Sequence, residues 1–174
     1  MSALTHRPGP GEYGGHFGNY IEIVPEGNIV DLLAEELKST SEFLSDIPES
    51  KGDIRYAPGK WTLKEVIGHI SDTERIMSYR LLRIARGDQT PLPGFDQDAY
   101  MNNASFDSYS LADLIDNFIT VRRSTLSLVR RLTDEEWART GTASNTGMSA
   151  KALAYVIAGH ALHHLRIVKD KYLA

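Results

Sequence analysis

The amino-acid sequence predicts an all-α protein, a four-helix bundle with long connectors and an irregular N-terminal arm. Three observations carry this prediction. Four segments place apolar residues three and four apart, each opens on a Ser, Thr or Asn, and no two segments alternate in the manner of paired strands. Amphipathic helices cannot bury their apolar stripes alone, and packing four of them together is the simplest way to do so.

Residues 1–27 are rich in Gly, Pro and aromatic rings without a helical period, so they should form an arm whose Tyr and Phe rings pack on the body. Asn28 can cap a first helix that carries Ile29, Leu32, Leu33, Leu37, Phe43 and Leu44 and ends before Pro48. Thr62 and Glu65 make a capping box for a second helix, which runs to about Arg86 and is stopped by Gly87. Its inward stripe is Leu63, Val66, Ile67, Ile70, Met77, Leu81 and Ile84. The connection that follows, "GDQTPLPGFDQDAYMNNASFDSY", has prolines and glycines that argue against a regular element. Ser110 with Asp113 opens a third helix, with Leu111, Leu114, Ile115, Phe118, Leu126, Val129 and Leu132 on one face. Thr133 and Glu136 can cap a short extra turn holding Trp137. "RTGTASNTGM" reads as a polar loop, and Ser149 caps a fourth helix that reaches about Tyr172.

Composition removes several function classes. With 174 residues and no stretch that reads as a linker, the chain is expected to be a single domain, 1–174. A net charge of −4 gives no electrostatic case for a nucleic-acid partner. There is no cysteine, so disulfides, thiolate ligands and a protein-borne thiol nucleophile are excluded together. The start of the chain lacks an apolar targeting core, and no later run is long enough to span a bilayer, so the expectation is a cytoplasmic protein with no membrane partner.

The chemistry concentrates in "GHALHH", residues 159–164. His160 and His164 are four apart and project from one helix face, with His163 at its edge. Such a pair is how one helix supplies two nitrogens to one metal, although two hydrogen-bonded buried histidines would leave the same trace. His69, beside Ile70 on the inward stripe of the second helix, adds a third imidazole. Burying three imidazoles without a metal demands several separate partners, whereas one divalent cation satisfies all three and keeps a coordination position open, as catalytic sites do.

Two charges replace apolar residues on inward stripes, Glu74 and Arg122. They are expected either to pair and fix helix register or to add an anion contact near the site. Arg80 is a candidate for an anionic substrate group, with snorkelling to solvent as the plainer role. Asp72 falls on the outer side, and Trp61 and Trp137 read as packing anchors. The long connector should run back over the histidines, where Gln97, Asp98, Tyr100 and Asn102 offer polar groups to a substrate or merely cap turns.

The segments "YAPGKWTLKEVIGHISDTERIMSYRLLRIARGD", "PLPGFDQDAY" and "AYVIAGHALHHLRIVKDKYL", with "GNYIEIVPEGN" in the arm, resemble the DinB/YfiT-like superfamily of metal-dependent proteins over nearly the whole chain. The resemblance implies a bundle in which the second and fourth helices are neighbours and a divalent metal sits on His69, His160 and His164, with His163 a bystander. His16 departs from the aromatic residue expected in similar arms. Characterised relatives include thiol-dependent transferases and isomerases that use bacillithiol or mycothiol, and others are described as hydrolases. The leading expectation is therefore an enzyme that activates a low-molecular-weight thiol at the three histidines and transfers it to an electrophile. A metal-dependent hydrolase acting through a metal-bound water is the alternative, and a non-catalytic, stress-related metal-binding bundle the second. Imidazole ligands suit zinc or nickel first and iron next. The partners expected are a small thiol and an electrophile, with a homodimer admitted.

Overall fold

A computed structural model describes Leu4 and residues 6–174; residues 1–3 and Thr5 of the expected arm lie outside the described residues. The helices are α1 (Gly18–Glu22), α2 (Ile29–Ser45), α3 (Leu63–Ala85), α4 (Gln97–Asn103), α5 (Leu111–Val129), α6 (Asp134–Ala138) and α7 (Ala150–Ile167), and β1 (Thr140–Ala143) and β2 (Thr146–Ser149) form one hairpin. The long helices α2, α3, α5 and α7 are the four that the periodicity predicts. Their caps are in place: Asn28 accepts from the Val30 amide at 2.9 Å, Thr62/Glu65 and Ser110/Asp113 form reciprocal boxes, and Ser149 accepts from the Ala152 amide.

Around the bundle, α3 lies between α5 and α7, and α2 closes the ring by packing on the same two helices. Arg75 bonds Asn117 at 2.6 Å, and further along both helices Leu82 and Leu128 line one groove, so α3 and α5 run in the same direction. Parallel neighbours need a crossover, which explains the long connector between them. The interior falls into two apolar halves. Leu33, Leu81, Leu126 and Leu153 belong to one, and Leu44, Ile67, Leu114 and Phe118 to the other. Buried polar residues stand at the level between them, among them Glu36, Thr73, Glu74, Arg122, His69 and His160.

Three expectations are corrected. The loop after α6 is an antiparallel hairpin, Thr140 opposite Ser149 through Ala143 opposite Thr146. Its turn residues Ser144 and Asn145 have φ of 52° and 59°, the left-handed pair that matches strand twist, reached without the Asn-Gly signal that would have announced it. The connector, expected to be irregular, contains α4, which is nucleated when the Asp96 carboxylate accepts from the amides of Asp98 and Ala99. Its earlier part joins the hairpin: the Leu92 amide donates to Thr142 O at 2.9 Å and the Ser144 amide to Leu92 O at 3.0 Å. The arm is also more regular than expected, with a 3-10 turn at Gly15–Phe17 leading into α1. Among the described residues, no helix is long and apolar enough to cross a membrane.

Candidate metal centre

His69 comes from the second turn of α3, His160 and His164 from the second half of α7. The two helices are neighbours, and their imidazoles meet. His69 Nε2 faces His160 Nε2 at 3.0 Å, the three rings have centroids 4.5 to 4.8 Å apart, and one nitrogen from each lies within 4.8 Å of the others. His69 and His160 are buried and His164 half-buried.

This donor set fits one cation. Two nitrogens each about 2.0–2.1 Å from one ion are separated by roughly 2.9–3.4 Å at right-angle to tetrahedral geometry, the range in which His69 and His160 already stand. Metal ligation also needs unprotonated rings. Burial lowers the His69 pKa to about 4. Burial and the neighbouring imidazoles His69 and His163 lower His164 to about 3, and burial with all three neighbours holds His160 well below the ordinary value.

The surroundings fix these rings. A Cβ on Gly159 would stand 2.0 Å from Tyr20 O, so only glycine lets α1 dock on α7 at the turn before His160. That docking sets the Tyr20 ring edge-on to His160 and His163, with centroids 5.4 and 5.7 Å away. Trp61 packs on His69 at 4.8 Å, and the Tyr172 hydroxyl holds the Trp61 segment by donating to its carbonyl at 2.6 Å. Thr73 Oγ1 lies 3.5 Å from His69 Nδ1, on the ring side away from His160.

Two cavities reach the cluster. One, of about 460 Å³, is walled by His69 and His160 with Arg80, Phe95 and Gln97; the other, of about 370 Å³, by His164 with Trp61, Gln97 and Asp98. The connector therefore does return over the histidines, and Gln97 borders both spaces.

The remaining candidates separate. Glu74 and Arg122 pair, with Arg122 Nε donating to Glu74 Oε1 at 2.8 Å and Oε2 at 3.0 Å. A third member missed in the sequence, Glu36, accepts from Arg122 Nη1 at 2.6 Å; its place one turn after Leu33 on the inward stripe of α2 was the available signal. Neither Glu74 nor Arg122 lines either cavity. Tyr100 is exposed, packs on Phe95 with centroids 5.3 Å apart and borders neither space. Asp72 faces outward to Arg75, and Trp137 is a buried packing residue as expected. Trp61 is more than an anchor, since it walls one cavity, and His16 of the arm walls the other.

The model of the DinB superfamily matches residues 32–168. The Oceanobacillus iheyensis protein "Putative metal-dependent hydrolase OB0413" is 24% identical over 155 residues, which cover 84% of this chain and 88% of that one. Among solved structures, YfiT from Bacillus subtilis, described as a probable metal-dependent hydrolase with an unusual four-helix bundle topology, superposes with a TM-score of 0.71 at 17% identity over 82% of each chain. The mycothiol-dependent maleylpyruvate isomerase superposes with 0.65 at 13% identity, over 79% of this chain and 58% of its own. At such identities the structural likeness is one of fold, and it agrees with the four-helix bundle.

Proposed function

The chain belongs to the DinB superfamily, and from that premise we propose that it is a metal-dependent enzyme that holds one divalent transition metal on His69, His160 and His164 and activates a low-molecular-weight thiol for transfer to an electrophile. The observation that carries this reading is the position of the histidine cluster where two cavities meet. Two chambers give a thiol and an electrophile separate places beside the same histidines, whereas a water molecule needs no chamber of its own.

When bound, the cation supplies a Lewis acid that lowers the pKa of a thiol or a water. The chain's own residues prepare that chemistry. Three neutral imidazoles leave the cation's charge uncancelled, and burial keeps those rings unprotonated. Phe95, Met77 and Val156 on one side and Trp61 on the other limit water around the reacting atoms. The Gln97 carboxamide, at the border of both chambers, is placed to donate to one reactant and accept from the other. The chain has no cysteine, so the sulfur must arrive with the substrate.

The hydrolase reading uses the same ligands and is favoured by the name of the Oceanobacillus iheyensis relative. Elemental analysis of protein purified without an affinity tag should return one equivalent of zinc, nickel or iron. Conjugation of bacillithiol or mycothiol to a chloronitroarene, run beside hydrolysis of p-nitrophenyl esters, then separates the readings. Metal-dependent conjugation supports transfer, ester turnover without conjugation replaces it with hydrolysis, and a metal-free protein overturns both.

A further inference from the structure

Arg80 is a buried cation without a counter-ion. It is 2% exposed, yet its guanidinium meets only neutral groups: Nη2 donates to Pro93 O at 2.7 Å and to Ser144 Oγ at 3.0 Å, and Nη1 lies 3.6 Å from Met77 Sδ. The Phe95 ring covers one side, with Cζ 5.8 Å from its centroid. No ion pair among the described residues includes Arg80, in contrast to Arg122, which holds two carboxylates. Burial lowers the Arg80 pKa, and no carboxylate opposes the shift. A charge kept in this condition is unfavourable unless something completes its shell.

The open side of Arg80 is the cavity it shares with His69 and His160, whose wall contains no Asp or Glu and no second Arg or Lys. We infer that Arg80 anchors a carboxylate of the substrate, which holds the electrophile in this chamber with its reactive carbon toward the histidines. A guanidinium matches a carboxylate with two parallel hydrogen bonds, and one positive charge balances one negative charge. The fold invests in this position: the parallel bridge between Leu92 and Ala143 brings the Pro93 carbonyl and the Ser144 hydroxyl to the same nitrogen, orienting the guanidinium without neutralising it. This assignment deepens the proposed function and rests on it for the role of the bound molecule, although the anion site itself can be measured separately.

The test uses benzoate and benzamide, a charged and a neutral probe of one shape, titrated calorimetrically into the metal-loaded full-length protein. Benzoate should bind at least about tenfold more tightly than benzamide, the range for a hydrogen bond to a charged group. Arg80→Gln should bring the two to parity at unchanged metal content. Ser144→Asp is a second route that leaves Arg80 in place. It sets an internal carboxylate beside Nη2, at a residue whose φ of 52° aspartate tolerates, and it should also abolish the preference. Protein stripped with a chelator should keep the benzoate preference. Absence of the preference in the native protein overturns the assignment, as does its survival in both variants. Loss on stripping together with survival in Arg80→Gln would place the carboxylate on the metal instead. A preference that persists in a protein found to carry no metal supports Arg80 and removes the proposed function.

Discussion

Arg122 and His69 both stand at the level where the two apolar halves of the bundle meet, yet their surroundings differ in kind. Arg122 is fully buried on α5 and grips Glu74 with one nitrogen and Glu36 with another, so its charge is paired within the chain, although Arg122 Nη2 and Glu36 Oε1 keep no hydrogen-bond partner among the described residues. His69 has Thr73 Oγ1 at its Nδ1 and faces His160 with its Nε2 at 3.0 Å, and a nitrogen of His164 stands in the same cluster. No charged side chain among the described residues pairs with His69, and burial suppresses its basicity. A closed set of charges fixes how α2, α3 and α5 register. A convergent set of imidazoles joins α3 and α7 and is of the kind that could hold a metal ion. Polar burial alone is therefore no sign of a functional site; what distinguishes the histidines is their donor chemistry and the cavities that reach them.

The largest effect is expected on the closed side. Arg122→Met leaves Glu36 and Glu74 buried without their cation and should cost roughly 3–5 kcal/mol of unfolding free energy in urea, while metal content stays at the native level. Replacing all three with apolar residues of similar volume should recover most of that loss. A single variant as stable as the native chain would mean that the triad is solvated.

On the convergent side the effect should follow the metal. Native protein in zinc or nickel at 1,000 times Kd gains about 4 kcal/mol by mass action, seen as a rise in Tm. His69→Ala and His164→Ala should lose that gain, and His163→Ala should keep most of it, because its exposed ring lies outside the cluster. An undiminished metal-dependent Tm rise in His69→Ala would remove the proposed ligand set.

These two clusters were not equally legible in the sequence. His69, His160 and His164 could be found because helical spacing alone puts their rings on inward faces, and Glu74 and Arg122 because they interrupt apolar stripes. The four long helices followed from the same periodicity and from side-chain caps that act within three residues. What escaped depends on contacts across the chain. The hairpin turn Ser144–Asn145 carries no glycine, and α4 rests on one carboxylate between proline-rich and polar segments. The chamber walls come from His16, Trp61 and Phe95, brought together by tertiary packing that no local spacing records.

A smaller effect should expose how the histidine side is assembled. Gly159→Ala drives a Cβ into the Tyr20 carbonyl at 2.0 Å, and two backbones have little room to yield. The expected cost is about 1–3 kcal/mol, with α1 and the Tyr20 ring displaced from His160. Amide hydrogen exchange in α1 should rise while α2 and α5 stay protected; unchanged protection in α1 would show that the close approach is absorbed elsewhere.

The smallest effect separates the two clusters by sign. In metal-stripped protein, His69 and His164 have pKa values of about 4 and about 3, below the 6.5 of an unfolded histidine. As pH falls from about 6.5 the unfolded chain takes up protons first, so the histidine side loses stability until the pH nears those folded values. Glu36 behaves oppositely. Burial lifts its pKa, Arg122 pulls it back and Glu74 adds to the rise, leaving it at about 7 against an ordinary 4.5. Between about pH 7 and 4.5 the folded chain takes up this proton first, so acidification favours folding and the contribution is lost again as pH rises through about 7. In the native chain the two trends oppose each other between about pH 4.5 and 6.5, but the imidazoles His69, His160 and His164 outnumber the one Glu36 carboxyl, so urea midpoints should still fall on acidification. Glu36→Gln removes the opposing trend and should make stability fall more steeply on acidification. His69→Gln with His164→Gln leaves only His160 against Glu36 and should flatten the slope toward zero. Identical slopes in all three proteins would mean that Glu36 is ionised throughout this range and that the folded imidazoles titrate as they do in the unfolded chain.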